Sequence, residues 1–525
     1  MVKLKPDTAK TLLALHGRFA VSLGLALYVL VVTGTSSVFA KEIADWSSPL
    51  ATLEHPRLPV GLDQGLRAAA ATVDPRYLAD VSAYSGAGGR IVAFFHTHEL
   101  RPVSGKFEEI GVELDLDPRS FTVLERREGW SEDIARLNAA PGLASFITQL
   151  HVRLHIPAPY GLLVTGVLGL ALMVAVISGF CMHRHLLRDL FKRRGGGVSL
   201  LAARDRHAGA ASWILPFALV LAFTGSYFSF TDSVGLPALA RVAFAGDEVR
   251  LVEAIVGVPP AEDARAAALA DIDAMVVDAG RRGRTVPNFV LVERWGRRDA
   301  RVSVFLEPAE GDLTSPTYVY GGTDGRLVVA KPDFGLVPSA GGKLIELIFA
   351  LHYGNFAGVS SKIVWVGLGY GVSFTALTGL LLWCRRRAET PAWRRLNRAV
   401  HWVGFGLPLA LAGTPYGFFP ARAAGIADTQ SWMTAAFIIA AVFAGALAAT
   451  ARDMTRVKYL LLGLTGVALA GLPLLRRATG GTDWPDALAG GLAAVVALDI
   501  AFAIAGIACF AAVWWQSRLA TSRPA

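Results

Sequence analysis

Eight long runs with almost no charge constrain what this 525-residue chain can fold into. A helix needs about 20 mostly apolar residues to cross a hydrocarbon layer of about 30 Å. Each run approaches or exceeds that length, and Asp499 is the one charged residue within them. The sequence therefore predicts eight membrane-spanning helices, at residues 19–40, 156–182, 208–231, 363–384, 399–421, 429–451, 459–475 and 487–516.

The overall composition agrees with a membrane protein. Hydrophobic residues make up 53% of the chain and charged residues 18%, whereas about a quarter of a typical soluble chain is charged. The three cysteines lie near the ends of three predicted spans, on the side of the membrane opposite the large external segments. Neither a disulfide framework nor a thiolate metal cluster is therefore expected.

The basic residues predict the orientation. Lys and Arg are concentrated before the first run and at 184–206, 385–398 and 452–458. Because short cytoplasmic loops are enriched in such residues, both termini are expected to face the cytoplasm of a bacterium, with two large periplasmic loops. The chain is thus expected in the inner membrane with the lipid bilayer as a partner. This topology explains the net charge of +9, and no nucleic-acid partner is expected.

The order of span, external segment and span occurs twice along the chain. Each external segment is expected to be a small α+β domain, with a helix (61–72 or 261–281) followed by antiparallel strands. The predicted fold is a polytopic α-helical membrane protein with a four-helix core built from two repeats. Its divisions are a first span (1–40), external module 1 (41–155), spans two and three with a basic loop (156–231), external module 2 (232–362), span four (363–388) and four additional C-terminal spans (389–525).

Four histidines occupy matching places in the two repeats. His16 and His207 are each separated by 16 residues from a Thr-Gly pair. His151 and His352 each follow a leucine and are separated by 26 and 25 residues from a Ser-Gly or Thr-Gly pair. A histidine side chain close to lipid costs free energy unless it binds a partner. The repetition predicts ligands for a buried cofactor, and haem is the favoured one.

Helix geometry predicts how these histidines pair. At 1.5 Å per residue, the step from His16 to the following Thr-Gly covers about 25 Å, which is most of the membrane thickness. His16 and His207 are therefore expected to meet near the inner face, through spans one and three, and His151 and His352 near the outer face, through spans two and four. Two b haems, each held by two imidazoles, would form an electron path.

Several other residues remain alternatives in this scheme. His183 competes with His16 or His207 as an inner ligand, and His155 is a reserve outer ligand. Three arginines beside the inner ligands can either pair with haem propionates or serve only as determinants of topology; they are Arg18, Arg184 and Arg206.

Three further features have both a functional and an ordinary interpretation. His401 can bind a quinone or a third haem, although an interfacial His-Trp pair is the simpler explanation. Asp499 indicates either a proton path or a structural hydrogen bond. His96 and His98 lie on one face of a predicted strand, where they can bind a metal, but a third ligand is not evident from the sequence.

The chain resembles the PepSY-associated transmembrane helix family, which includes iron-regulated inner-membrane proteins implicated in ferric-siderophore reduction. The resemblance covers about residues 10–390. It is carried by Leu15-His16-Gly-Arg18, Leu150-His151, Ser178-Gly179-Phe-Cys-Met-His183-Arg184, His207 and Leu351-His352-Tyr-Gly354, and by Asp115-Leu-Asp117-Pro118 and Tyr320-Gly-Gly-Thr-Asp324-Gly325 in PepSY-like external modules.

The resemblance implies a di-haem reductase that passes electrons from the inside to a substrate outside, with a ferric siderophore or similar metal chelate as the favoured partner. The four C-terminal spans have no counterpart in a four-span core. No soluble region large enough for a flavin and nicotinamide module is expected on the cytoplasmic side, so the electron donor is expected to be a quinol or a separate cytoplasmic reductase. The alternatives are a haem-free PepSY anchor that regulates a peptidase or senses the envelope, and a transporter.

Overall fold

The structure of the protein is a computed structural model. It describes residues 5–48, 58–103, 106–138, 142–182, 200–247, 250–251, 254–255, 262–308, 312–332, 334–387 and 389–521.

Long helices dominate the chain, and two groups of strands interrupt them. The helices are α1 (Pro6–Ser37), α2 (Ala40–Ser47), α3 (Leu62–Ala70), α4 (Ser131–Leu137), α5 (Gly142–Arg153), α6 (Tyr160–Met182), α7 (Leu200–Phe230), α8 (Leu236–Ala243), α9 (Ile272–Gly283), α10 (Ala340–Tyr353), α11 (Gly358–Arg386), α12 (Pro391–Ala423), α13 (Thr429–Thr450), α14 (Met454–Ala478), α15 (Trp484–Ala489) and α16 (Ala493–Thr521). The strands are β1 (Asp80–Ser85), β2 (Ile91–Arg101), β3 (Lys106–Leu116), β4 (Val123–Trp130), β5 (Pro287–Glu293), β6 (Arg301–Leu306), β7 (Thr317–Gly321) and β8 (Leu327–Lys331).

Within the described residues, seven helices are long and apolar enough to cross a membrane, namely α1, α6, α7, α11, α13, α14 and α16. This confirms a polytopic membrane protein, but it differs from the predicted eight spans at residues 399–421. That run lies in α12, a continuous helix of 33 residues that contains Pro408, Pro415 and Pro420. Its prolines, glycines and polar side chains make it less apolar than the other seven, although it packs directly on α11 and α13.

Four of these helices, α1, α6, α7 and α11, form a bundle. Helix α1 packs on α6 and α11, and α7 packs on the same two helices, so α1 and α7 lie diagonally across the bundle. Small residues allow the close contacts. A Cβ on Gly24 of α1 would lie 3.1 Å from Leu380 of α11, and one on Gly169 of α6 would lie 2.3 Å from Ser226 of α7.

The C-terminal helices form a second group, in which α12 packs on α13 and α14, and α14 packs on α16. Asp499 of α16 is buried here at 1% exposure. Its carboxylate accepts hydrogen bonds from Arg476 (2.7 Å), Trp46 (2.7 Å) and Trp484 (2.9 Å). A buried carboxylate with an ionic partner and two indole donors is a structural element that ties α2 to the C-terminal helices.

The strands of the two external modules belong to one antiparallel sheet, in the order β4-β3-β2-β1-β5-β6-β7-β8. The sequence predicts two separate modules, and the pairing of β1 with β5 joins them. In that pairing Val81 lies opposite Val292, and Ala83 lies opposite Val290. The physical reason is that β1 and β5 would otherwise be exposed edge strands with unpaired backbone groups.

Helices α3 and α9 cover one face of this sheet. Their apolar residues pack on alternate strand residues that are fully buried, including Val81, Phe95 and Val292. The two helices also cap each other: the Asp273 carboxylate accepts hydrogen bonds from three backbone N–H groups at the start of α3, and Asp63 accepts one from Ile272. The predicted helix 261–281 is thus shorter than expected, because Asp271 caps its N-terminus at Ile272.

The other face of the sheet, here called the polar face, carries Arg90, His96, Glu113, Asp115 and Arg127. Asp115 is fully buried and accepts hydrogen bonds from Arg90 (2.6 Å) and Arg127 (2.5 Å). The residues beside the polar face come from short segments next to the membrane helices: Glu113 accepts a bond from Asn138 at the end of α4, and the Gly88 N–H donates to Asp45 of α2, which packs on α16. The polar face is therefore directed toward the bundle.

Candidate cofactor site: two facing histidine pairs

The structure brings His16 and His207 together at the end of the bundle far from the sheet. His16 lies on α1 and His207 on α7, the two diagonal helices, and their ring centroids are 6.4 Å apart with planes at 66°. These two residues are called the far-side pair. They face each other across the bundle interior, as predicted for spans one and three.

His151 and His352 form a second facing pair on the side of the sheet. Their ring centroids are 6.3 Å apart and their planes meet at 23°. The sequence predicts this pair at the starts of spans two and four. His151 lies on α5 and His352 on α10, two short helices that directly precede those spans. Each of these helices ends shortly after its histidine. The first is followed by a non-helical segment at 154–159, and the second ends at Gly354, which has a φ of +65°. These two residues are called the sheet-side pair.

Each histidine docks on a neighbouring helix of the bundle through its Nδ1 atom. The Nδ1 atoms of His16, His207 and His151 donate to the backbone carbonyls of Ala175 (3.0 Å), Thr375 (3.0 Å) and Leu30 (2.9 Å) respectively. A carbonyl can only accept, so Nδ1 carries the proton and Nε2 retains a free lone pair.

His352 uses a side chain in place of a carbonyl. Its Nδ1 lies 2.9 Å from the Thr224 hydroxyl, which itself donates to the Val220 carbonyl at 2.8 Å. Because that proton is directed to Val220, the hydroxyl oxygen accepts from His352 Nδ1. The Nε2 atom of His352 is therefore also left with its lone pair.

The Ser-Gly and Thr-Gly pairs noted in the sequence form the docking surfaces for the histidines. Each docking carbonyl lies three residues before one of these pairs, and each glycine of a pair faces one histidine ring. An added Cβ would lie 2.6 Å from the His151 ring at Gly34, 2.9 Å from His207 at Gly379, 3.4 Å from His352 at Gly225 and 3.5 Å from His16 at Gly179. Each helix of the bundle thus supplies one glycine to one histidine.

The two pairs lie at different depths. His151 docks on Leu30, which is 14 residues beyond His16 on α1, or about 21 Å along the helix axis. His352 docks on Thr224, which is 17 residues beyond His207 on α7, or about 25 Å. One pair therefore lies near each end of the bundle.

The donor set fits a haem at each level. Two imidazoles that bind one metal ion from opposite sides, at about 2.0 Å per bond, have ring centroids about 6 Å apart. Both pairs have this separation. Bonding of Nδ1 to a fixed acceptor leaves Nε2 as the ligand atom and holds the plane of the ring, as metal-binding histidines require.

The predicted positively charged partners are only partly described. The Arg18 and Arg206 side chains are exposed, two residues and one residue from His16 and His207 along their helices. His183 and Arg184 lie outside the described residues. The competition between His183 and His16 or His207 therefore stays a prediction, although the described pair consists of His16 and His207.

The reserve histidines occupy other surroundings. The ring of His155 packs on Phe146 with centroids 4.5 Å apart, beyond the end of α5. His401 donates from Nδ1 to the carbonyl of Asn397, one turn earlier in its own helix, at 2.8 Å. Neither residue is brought to the sheet-side pair or the far-side pair.

His96 and His98 lie on the polar face, as the strand alternation predicts. Burial lowers the pKa of His96 below its usual range, so its imidazole is neutral at neutral pH. Glu109 and Asp80 lie beside these histidines and were not predicted. They could have been found only from the register of the neighbouring strands, which the sequence alone does not reveal.

Comparisons with known proteins place the chain in context. A family model described as the PepSY-associated TM region matches residues 13–386, which include both histidine pairs and all eight strands. An uncharacterized protein of Pseudomonas aeruginosa is 27% identical to this chain over 262 residues. That alignment covers 47% of this chain and 64% of the relative.

Proposed function

The chain belongs to the PepSY-associated TM region family, and we propose that it is a di-haem oxidoreductase that passes electrons across a bacterial inner membrane. The acceptor would lie on the side of the sheet, in the periplasm. A ferric siderophore or a similar iron chelate is the favoured substrate.

One observation carries this proposal: two facing histidine pairs with the same ring separation, 6.4 and 6.3 Å, lie at two depths of one bundle. A single pair would also fit a structural role or one metal ion. Two pairs separated by about 21 Å along α1 and about 25 Å along α7 are the arrangement that electron transfer across most of a membrane needs.

The roles of the residues follow from their contacts. His16 and His207 would hold one haem, and His151 and His352 the other, each through Nε2. Bound haem would supply reversible one-electron chemistry at its iron. The carbonyls of Ala175, Thr375 and Leu30 and the Thr224 hydroxyl would tune that chemistry, because a hydrogen bond from Nδ1 makes the imidazole a stronger donor.

The favoured substrate suits a protein that supplies electrons but no acid or base. Adding one electron to chelated iron(III) gives iron(II), which oxygen donors hold less tightly, so the metal is released without cleavage of the chelator. The electrons would come from a quinol or a separate cytoplasmic reductase.

Absorption spectroscopy tests the cofactor. The full-length protein, purified from haem-replete cells, should show a Soret band and sharp α and β bands on dithionite reduction, with two haems per chain. His207→Ala should remove one haem and spare the sheet-side pair, whereas His352→Ala should do the reverse. Either change should abolish reduction of an iron(III) chelate by the membrane-embedded protein, because each interrupts the same path.

Matched controls are available in the same chain. His155→Ala and His401→Ala also remove a histidine from a helix or its end, yet both should retain two haems. A colourless wild-type protein would contradict the proposal and favour a haem-free anchor or a transporter. Asp499 gives the transporter little support, because its carboxylate is held by Arg476 and two tryptophans.

A further inference from the structure

A cluster of metal-ligating side chains lies on the polar face of the sheet, outside the two histidine pairs. His96 and His98 are two residues apart on β2 and so point to the same face. Glu109 lies directly opposite His98 on β3, and Asp80 lies directly opposite His96 on β1. Three neighbouring strands thus contribute to one spot.

The side-chain atoms approach one another closely enough to share an ion. The Nε2 atoms of His96 and His98 lie 3.9 and 4.0 Å from Glu109 Oε1. One ligand atom from each of the three residues lies within 4.8 Å of the others. Ligand atoms around a tetrahedral zinc ion are about 3.4 Å apart. Glu109, whose side chain is 44% exposed, lies about half an ångström beyond this spacing from both imidazoles. The His98 ring, which is 30% exposed, has room to adjust its own distance from His96.

His96 is held in the orientation that a ligand needs. Its ring stacks on Phe94 with centroids 4.6 Å apart and planes at 10°, and its Nδ1 lies 3.2 Å from the Phe94 carbonyl. Nδ1 therefore donates, and Nε2 is available. Opposite His96 on β3 stands Gly111, where an added Cβ would lie 2.9 Å from the His96 Cβ. The glycine leaves room for the imidazole.

We propose that His96, His98 and Glu109 bind one divalent first-row transition-metal ion at the surface of the sheet. Two imidazoles and one carboxylate suit zinc, cobalt or iron(II), whereas magnesium and calcium prefer oxygen donors alone. Asp80 lies beside the other nitrogen of His98, with Oδ2 at 3.7 Å from Nδ1, where it favours the tautomer that leaves Nε2 free for the metal. Its other oxygen accepts a hydrogen bond from the Arg294 N–H, which fixes its orientation.

Exposure makes the site accessible. The His96 side chain is 4% exposed and forms the floor, whereas the His98 side chain is 30% exposed. An ion can therefore enter from solvent without opening the sheet. The site does not depend on haem, because its three ligands all come from β2 and β3.

Metal titration of the full-length, chelator-treated protein in detergent tests the site. We expect the wild type to bind one more high-affinity zinc or cobalt ion per chain than His98→Gln or Glu109→Gln does. If the variants still bind that ion, their affinity should be lower by about tenfold or more. Bound cobalt should show the visible absorption bands of nitrogen and oxygen ligation in the wild type only. Magnesium should not compete.

Glu99→Gln is the matched control, since Glu99 lies next to His98 on the same strand but points to the other face. It should bind metal like the wild type. His98 and Glu109 are partly exposed, so their substitutions should leave the fold intact, as an unchanged thermal unfolding curve and haem spectrum would show. Equal zinc stoichiometry and affinity in wild type, His98→Gln and Glu109→Gln would overturn the proposal, whatever the haem content.

Discussion

The far-side and sheet-side pairs have nearly the same ring separation, 6.4 and 6.3 Å, yet their histidines stand on different supports. His16 and His207 belong to helices of 32 and 31 residues that cross the bundle. His151 and His352 belong to helices of 12 and 14 residues that end within a few residues. The common spacing therefore depends on the surface that receives each ring, a carbonyl or hydroxyl beside a glycine.

Each pair is also asymmetric in the same way. One ring lies tight against its glycine, His151 at Gly34 and His207 at Gly379, and the other ring is in ordinary contact. The tight ring of each pair is the one whose Nδ1 donates to a backbone carbonyl alone. Each pair thus has one tight and one relaxed position.

Alanine substitution of these glycines should have the largest effect on haem binding, and the effect should differ between the tight and the relaxed positions. Gly34→Ala places a Cβ 2.6 Å from the His151 ring, and the ring cannot move without losing its bond to Leu30. We expect loss of most of the sheet-side haem. Gly225→Ala, where the contact is 3.4 Å, should retain it. Haem content per chain measures both.

The same contrast should appear on the far side, with Gly379→Ala more damaging than Gly179→Ala. If all four alanine variants bound two haems, or if the two relaxed positions were the more sensitive ones, the docking role of the glycines would be wrong.

Removing a hydroxyl should have an intermediate effect that differs between the pairs. Thr224→Val deletes the acceptor of His352 Nδ1, whereas Ser178→Ala leaves His16 bonded to the Ala175 carbonyl at 3.0 Å. We expect Thr224→Val to weaken sheet-side haem binding about tenfold or more. It should also raise that haem's midpoint potential, since a less basic imidazole stabilises iron(III) less.

Redox titration followed by optical spectra separates the two haems and measures these shifts. Ser178→Ala is the control and should leave both potentials close to those of the wild type. A larger shift in Ser178→Ala than in Thr224→Val would contradict the assignment of the Nδ1 partners.

The smallest expected effect is a spectroscopic difference between the two pairs of the wild-type protein. The ring planes meet at 66° in the far-side pair and at 23° in the sheet-side pair. The electron paramagnetic resonance spectrum of low-spin iron(III) depends on this angle, because the imidazole planes set the order of the iron d orbitals. We expect two distinct low-spin signals, with the larger maximum g value lost in His207→Ala. One signal of double intensity would show that the angles become equal on binding.

Much of the site could be predicted from residue types and spacing. The four histidines, their pairing and their separation by depth follow from two repeats and the helical rise. The docking partners could not be predicted, because Ala175, Thr375 and Leu30 act through backbone carbonyls that every residue possesses. The short helices that carry His151 and His352 were not predicted, because apolar runs do not mark where a helix stops and restarts.

The sheet shows the same limit. The alternating runs at 90–96, 109–116, 288–294 and 301–306 predict β2, β3, β5 and β6, and the helix predicted at 61–72 agrees with α3. The helix before β5 begins later than predicted, β1 and β7 were missed, and the joining of both modules was not foreseen. Strand alternation assigns a residue to a face but does not identify the neighbouring strand. The contact between Glu109 and His98 therefore could not be predicted without the strand register.

By itself, the sequence determined that the chain crosses a membrane repeatedly and carries matched histidines, because hydrophobic length and repeat spacing are local properties written along the chain. Tertiary structure alone decided which carbonyl and which glycine receive each ring, that α12 packs among the other helices despite its prolines, and that β1 pairs with β5. Those outcomes depend on contacts between residues far apart in the chain, where competing arrangements differ only in how well surfaces fit and backbone groups are satisfied.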